Sequence, residues 1–156
     1  MALRRFVVVV TSTFFFVGYL PFMPGTFASV AAVGLFYCLR ANTIVYFVCS
    51  LVILFVGLLA GTEAEKIYAK KDPPCVVIDE ILGMLLALAF LPSYSIEVVV
   101  IAFVFFRLLD TVKPYPANIL QRLSGGLGIM ADDLVAGIYT NIILQIVLRL
   151  AVFKAW

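Results

Sequence analysis

The chain has 156 residues, a length that suits one domain (1–156), and 65% of them are hydrophobic while 13% are charged. Soluble domains run at roughly 45–50% apolar and about 25% charged, so a chain of mean hydropathy +1.17 must turn much of its apolar surface toward lipid. A net charge of +2 with no basic stripe excludes nucleic acid as a partner, and the complete absence of histidine excludes any His nucleophile, base or zinc ligand.

Arg4 and Arg5 precede the apolar run Phe6–Val17. This imitates a signal peptide, but Thr26-Phe27-Ala28 makes a weak cleavage site, and the reading is an attached first helix, interfacial or re-entrant. Residues 18–26 form a Pro/Gly break. Phe27–Leu39 is the next apolar segment, and Arg40-Ala41-Asn42 is a tight turn. Thr43–Ala60 is the strongest span, without a charge. Residues 61–74 are polar, Cys75–Leu91 is apolar apart from Asp79 and Glu80, and Pro92–Ser95 turns the chain. Ile96–Leu109 is another span, 111–131 reads as a loop or interfacial helix, and Asp132 and Asp133 open a last span to about Phe153. The expected fold is all-α: a compact polytopic bundle with four to five spans.

With the N-terminus inside, eight of the eleven Lys and Arg residues fall on the inner face and Arg40, Arg149 and Lys154 on the outer, in accord with the positive-inside rule. Eight of the nine acids also fall inside, Glu97 being the exception, and topology does not ask for that. Cys38, Cys49 and Cys75 lack zinc-finger or redox spacing. Cys75 is followed by Val76, Val77, Ile78, Asp79 and Glu80, whose acids would repel a phosphate from its thiolate.

Asp79 and Glu80 stand between strongly apolar flanks, where ionisable groups are costly and usually functional. An acidic first turn favoured by the helix dipole is the blander reading. Gly83, one turn beyond Asp79, would let a neighbour approach closely. Arg107 and Asp110 share a helix face, and Lys113 stands before Pro114, where the helix must end. These fit a metal-bound Asp with Arg107 and Lys113 on phosphate oxygens, against a snorkelling pair with a salt-bridged Asp. Asp132 and Asp133 follow the glycine-rich run 125–128; one could reach a metal while the other caps or orients. Glu65 is a further candidate ligand, and Pro24-Gly25-Thr26 could orient substrate or merely punctuate the chain. Oxygen-rich, histidine-free and flanked by Arg and Lys, such a site selects Mg²⁺ and suits phosphoryl transfer. A small ion transporter using intramembrane carboxylates is the alternative, but it would place them near mid-bilayer.

Four stretches now stand out in order: Pro24-Gly25-Thr26, residues 71–83 with Val77-Ile78-Asp79-Glu80-Ile81-Leu82-Gly83, residues 106–116 with Arg107, Asp110 and Lys113, and residues 125–137 with Asp132, Asp133 and Gly137. Together they closely resemble the phosphatidylglycerophosphatase A family, over about residues 18–140. The resemblance implies Mg²⁺-dependent removal of the terminal phosphate of phosphatidylglycerol phosphate at the cytoplasmic face of a bacterial inner membrane. It also implies a central helix ringed by others. The expected ligands are Asp79, Glu80, Asp110, Asp132, Asp133 and Glu65; catalysis falls to Asp79, Asp110, Arg107, Lys113 and Asp133. Substrate contacts fall to Arg107, Lys113, Thr26 and Gly126, and the partners are a phospholipid and the bilayer. Ala69 stands where the resemblance leads one to expect glycine.

Overall fold

The computed structural model describes residues 2–154; residue 1 and residues 155–156, the ends of the expected domain, lie outside the described residues. The chain is all-helical: α1 (Ala2–Ser12), α2 (Pro24–Leu39), α3 (Thr43–Tyr68), α4 (Ile78–Leu88), α5 (Ile96–Val112), the single turn α6 (Ala117–Leu120) and α7 (Gly126–Lys154).

α4 is the hub. It packs against α2, α3, α5 and α7, and nine of its eleven residues are buried. Its apolar residues Ile81, Met84, Leu85 and Leu88 are fully buried with Phe36 of α2 and Phe106 of α5. The expected central helix is therefore present, but it is shorter than the apolar run Cys75–Leu91 from which it was read. At about 1.5 Å per residue its eleven residues reach about 16 Å, half of a bilayer core of about 30 Å. Its last carbonyls are met by side chains from neighbours. Asn141 of α7 donates to the carbonyls of Ala87 (3.2 Å) and Ala89 (2.7 Å), and Gln145 donates to that of Phe90 (2.8 Å).

Two helices, α3 and α7, are long and apolar enough to cross a membrane. α3 runs eight residues past the expected end at Ala60. Its polar turns continue the helix because their charges pair along its surface: Lys66 with Glu63 at 2.8 Å, and Arg4 of α1 with Glu63 at 2.9 Å. Asn42 caps its start, accepting from the N–H groups of Ile44 and Val45. α2 begins inside the expected break, at Pro24, because proline suits the first helical position.

α7 begins at Gly126, six residues before Asp132, so the two aspartates lie inside the helix and are not its caps. α4 and α7 meet almost backbone to backbone. A Cβ on Gly137 would stand 2.3 Å from the Gly83 carbonyl oxygen, and one on Gly83 would stand 2.8 Å from the Asp133 carbonyl oxygen. Each glycine lies four residues beyond an aspartate, Asp79 on α4 and Asp133 on α7. One helical turn therefore separates carboxylate from contact on both helices, and the two carboxylates come to the same level. At the opposite end, the Arg40 guanidinium lies over the rings of Tyr37 (4.9 Å) and Tyr94 (5.9 Å).

Candidate active site

A cleft of about 300 Å³ opens where the N-terminal turn of α2, the segment before α4, the end of α5 and the second turn of α7 converge. Asp72, Asp79, Glu80, Asp110, Asp132 and Asp133 line it with two cations, Arg107 and Lys113. Three of the acids are closest: one carboxylate oxygen each from Asp79, Glu80 and Asp133 lies within 4.8 Å of the others.

The cations are held by the acids. Arg107 Nη1 donates to Asp110 Oδ2 at 2.9 Å and lies 3.9 Å from Glu80 Oε1, so one guanidinium spans α4 and α5. Lys113 ends α5 just before Pro114, in left-handed backbone (φ 49°) rather than the extended form a following proline favours, and its ammonium pairs with Asp132. Partial burial would lower the lysine pKa, but the hydrogen bond to Asp132 and the charges of Asp110 and Asp133 outweigh it and hold the group above its ordinary value. Gly25 seats α2 against this network: a Cβ there would come 2.1 Å from Glu80 Oε1 and 3.0 Å from Arg107 Nη1.

The carboxylates themselves are poorly satisfied. Asp79, Asp132 and Asp133 are only 8%, 4% and 3% exposed. Asp79 Oδ1, Glu80 Oε2, Asp132 Oδ1 and Asp133 Oδ2 are buried with no hydrogen-bond partner among the described residues. Buried carboxylates without donors are costly unless a cation or a proton meets them. Several hard, acceptor-only oxygens with no nitrogen or sulfur among them fit a hard divalent cation.

Seven expected residues thus share one cleft: Asp79, Glu80, Asp110, Asp132, Asp133, Arg107 and Lys113. Three others stand elsewhere. Glu65 accepts from the backbone N–H of Gly125 at 2.8 Å and of Asp72 at 3.2 Å, so both its oxygens clamp loops together. Gly126 is a packing contact between α7 and α3: a Cβ would lie 2.0 Å from the Leu58 carbonyl oxygen, and its N–H is taken by Thr62 Oγ1 at 2.8 Å. Thr26 lies in the first turn of α2, but it is Met23, Pro24 and Gly25 that line the cleft. Asp72 was not anticipated as a wall of the site; its place on the acid-rich face and in the second resembling stretch, residues 71–83, were the available signals.

The profile of the family described as phosphatidylglycerophosphatase A matches residues 10–148, nearly the whole chain and every residue of the cleft. The chain belongs to the phosphatidylglycerophosphatase A family. A member from Escherichia coli, named phosphatidylglycerophosphatase A, is 34% identical over 83% of this chain and 77% of its own. One of the same name from Haemophilus influenzae is 29% identical, over 77% and 76%. A Bacteroides thetaiotaomicron protein, provisionally named a phosphatidylinositol-3-phosphatase, is 33% identical over 90% of this chain and 93% of its own. No solved structure matches the chain. Phosphatidylglycerophosphatase A family members are lipid phosphatases, and the buried triad Asp79, Glu80 and Asp133 gives this one a place able to hold a metal ion.

Proposed function

We propose that this chain is a Mg²⁺-dependent phosphatase that removes the terminal phosphate monoester of phosphatidylglycerol phosphate, leaving phosphatidylglycerol. One observation carries the reading. Buried carboxylate oxygens without donors share a cleft with a guanidinium and an ammonium. The first group answers a hard cation and the second a phosphate dianion.

In this reading Asp79, Glu80 and Asp133 hold Mg²⁺, with Asp110 and Asp132 beside them. Mg²⁺, when bound, supplies charge neutralisation at the phosphoryl oxygens. Arg107 already has one nitrogen committed to Asp110, which fixes its plane and leaves its other N–H groups for phosphate. Lys113 delivers a second positive charge. Attack by water forms one P–O bond as the ester P–O bond opposite it breaks. A cleft carboxylate takes the proton of the water, and a proton returns to the leaving glycerol oxygen. Attack by Asp79 or Asp110 themselves is the competing route, marked by phosphate-labelled enzyme after an acid quench.

The chain acts as a single domain in the bacterial inner membrane, with the cleft facing the cytoplasm. α3 and α7 cross it, the sixteen residues of α2 and seventeen of α5 cross beside them, and α4 with the turn after it completes a fifth passage among them. The transporter alternative has less behind it, because a guanidinium and an ammonium in the cleft favour an anion over a passing cation.

The test is phosphate release by the purified protein from phosphatidylglycerol phosphate in detergent micelles, with Mg²⁺ and with a chelator. Metal-dependent release is expected. Phosphatidylinositol 3-phosphate belongs in the same assay because of the Bacteroides relative's name. Preference for that lipid would move the substrate assignment and keep the chemistry, and no release from either would end the reading.

A further inference from the structure

The connection between α1 and α2 is braced throughout. Phe14, Phe15 and Phe16 hold left-handed backbone at φ 45°, 54° and 69°, and Phe22 and Met23 follow at 60° and 55°. Bulky L-residues avoid that region, and such conformations persist where the surroundings enforce them, often beside functional sites. The enforcement is visible here. Thr13 Oγ1 accepts from the Phe16 N–H at 3.1 Å, and the Thr13 carbonyl accepts from Gly18 at 2.9 Å. The Ser12 carbonyl accepts from Val77 at 2.9 Å, just before α4, and the hydroxyls of Tyr19 and Tyr68 are hydrogen-bonded. Gly18 presses so closely on this segment that a Cβ would lie 1.9 Å from the Cys75 carbonyl oxygen.

The bracing holds apolar side chains outward. Phe22 is 89% exposed, Phe15 73% and Met23 69%. Met23 is also a wall of the cleft, so the loop forms its rim. Tyr68 closes α3, and the turn it leads into carries Lys70 and Lys71, which make no ion pair among the described residues. Rigid aromatics, two lysines with no carboxylate partner (Lys71 Nζ donates to the Arg122 carbonyl at 2.7 Å) and the mouth of the cleft are therefore contiguous. Tyrosine rings favour the boundary between head groups and acyl chains, exposed phenylalanines bury on its acyl side, and clustered lysines favour an anionic lipid surface.

We propose that this loop is the surface by which the active site docks on an anionic bilayer. Phe15 and Phe22 enter the boundary region while Lys70 and Lys71 meet lipid phosphates, and a phosphorylated head group passes Met23 into the cleft. The inference rests on the lipid phosphatase reading and adds where the lipid enters.

The test uses the full chain carrying Phe15→Asn and Phe22→Asn together, because asparagine tolerates left-handed backbone and the loop keeps its path. In proteoliposomes rich in anionic lipid, kcat/KM for long-chain phosphatidylglycerol phosphate is expected to fall at least tenfold, mainly through KM. Hydrolysis of a water-soluble short-chain analogue is expected to stay within twofold of wild type. Separately, Phe22→Trp in a Trp156→Phe background is expected to show emission quenched by brominated lipid and not by aqueous iodide. Unchanged turnover on vesicles, an equal loss on both substrates, or quenching by iodide would overturn the docking role. If the wild type hydrolyses neither substrate, the phosphatase reading fails while the quenching experiment still decides whether the loop meets lipid.

Discussion

Gly137→Ala tests the geometry of the site at a position that touches no substrate. The added methyl carbon would stand 2.3 Å from the Gly83 carbonyl oxygen and 3.0 Å from its carbon. Even a close carbon–oxygen contact needs about 3.3 Å, so α4 and α7 must separate by about 1 Å. Overpacking of this kind costs about 1–3 kcal/mol, which a bundle with this much buried surface can survive. The site is less tolerant. Asp133 lies one turn from Gly137, and Asp79 one turn from Gly83, so the separation passes directly into the distance between their carboxylates. Metal–ligand distances tolerate about 0.2 Å, and a misplacement of about 1 Å can cost about 10²-fold in rate. We therefore expect Gly137→Ala to melt a few degrees lower, to keep its helical circular dichroism, and to lose about a hundredfold in kcat with weakened Mg²⁺ dependence. Wild-type turnover and Mg²⁺ response in a folded Gly137→Ala protein would show that the two aspartates are not aligned by the glycine contact.

Asp133→Asn should abolish turnover and, without Mg²⁺, leave the melting temperature unchanged or raised, because one buried acceptor without a donor is removed. Its stabilisation by Mg²⁺, about 2.7 kcal/mol for wild type at a hundred times the dissociation constant, should vanish in differential scanning fluorimetry. Glu65→Gln keeps an acceptor for only one of the two backbone N–H groups now served, so it should cost about 1–2 kcal/mol in denaturant titrations and leave the Mg²⁺ stoichiometry intact. Lost stoichiometry would make Glu65 a ligand after all. Ala69→Gly should stabilise the protein by up to about 1 kcal/mol with unchanged kcat, because Ala69 closes α3 in left-handed backbone at φ 49°.

The charged lining of the cleft was readable because it contradicts its surroundings. Asp79 and Glu80 interrupt an apolar run, and Lys113 precedes a proline that forces it off the helix; both are local facts, and the structure places them accordingly. The role of Gly83 was also legible, as a small residue one turn from an acid. Its counterpart Gly137 was recognised only as part of a motif, since nothing local says which helix it faces. The start of α7 was misplaced because glycine carries two meanings. Gly125 does need its positive φ of 71°, but Gly126 is helical and small for packing against Leu58. That Glu65 stands apart from the cleft was hidden for a related reason: a carboxylate looks the same in sequence whether its partner is an ion or two amide groups. The left-handed Phe14–Phe16 run was beyond reach, because phenylalanine has no local preference for that backbone, and it is held by the Thr13 hydroxyl together with the tertiary bond from Val77 to Ser12.

A helix of eleven residues, enclosed by its neighbours, ends with peptide oxygens that no further turn of its own can meet. Asn141 and Gln145 answer them from the neighbouring helix, so the chain turns toward α5 with those groups satisfied. The cleft acids Asp79 and Glu80 therefore ride on a segment anchored at both ends inside the protein. Were the bundle set in a bilayer, a change in thickness would strain the longer outer helices first, and the acids of the cleft would be shielded from it.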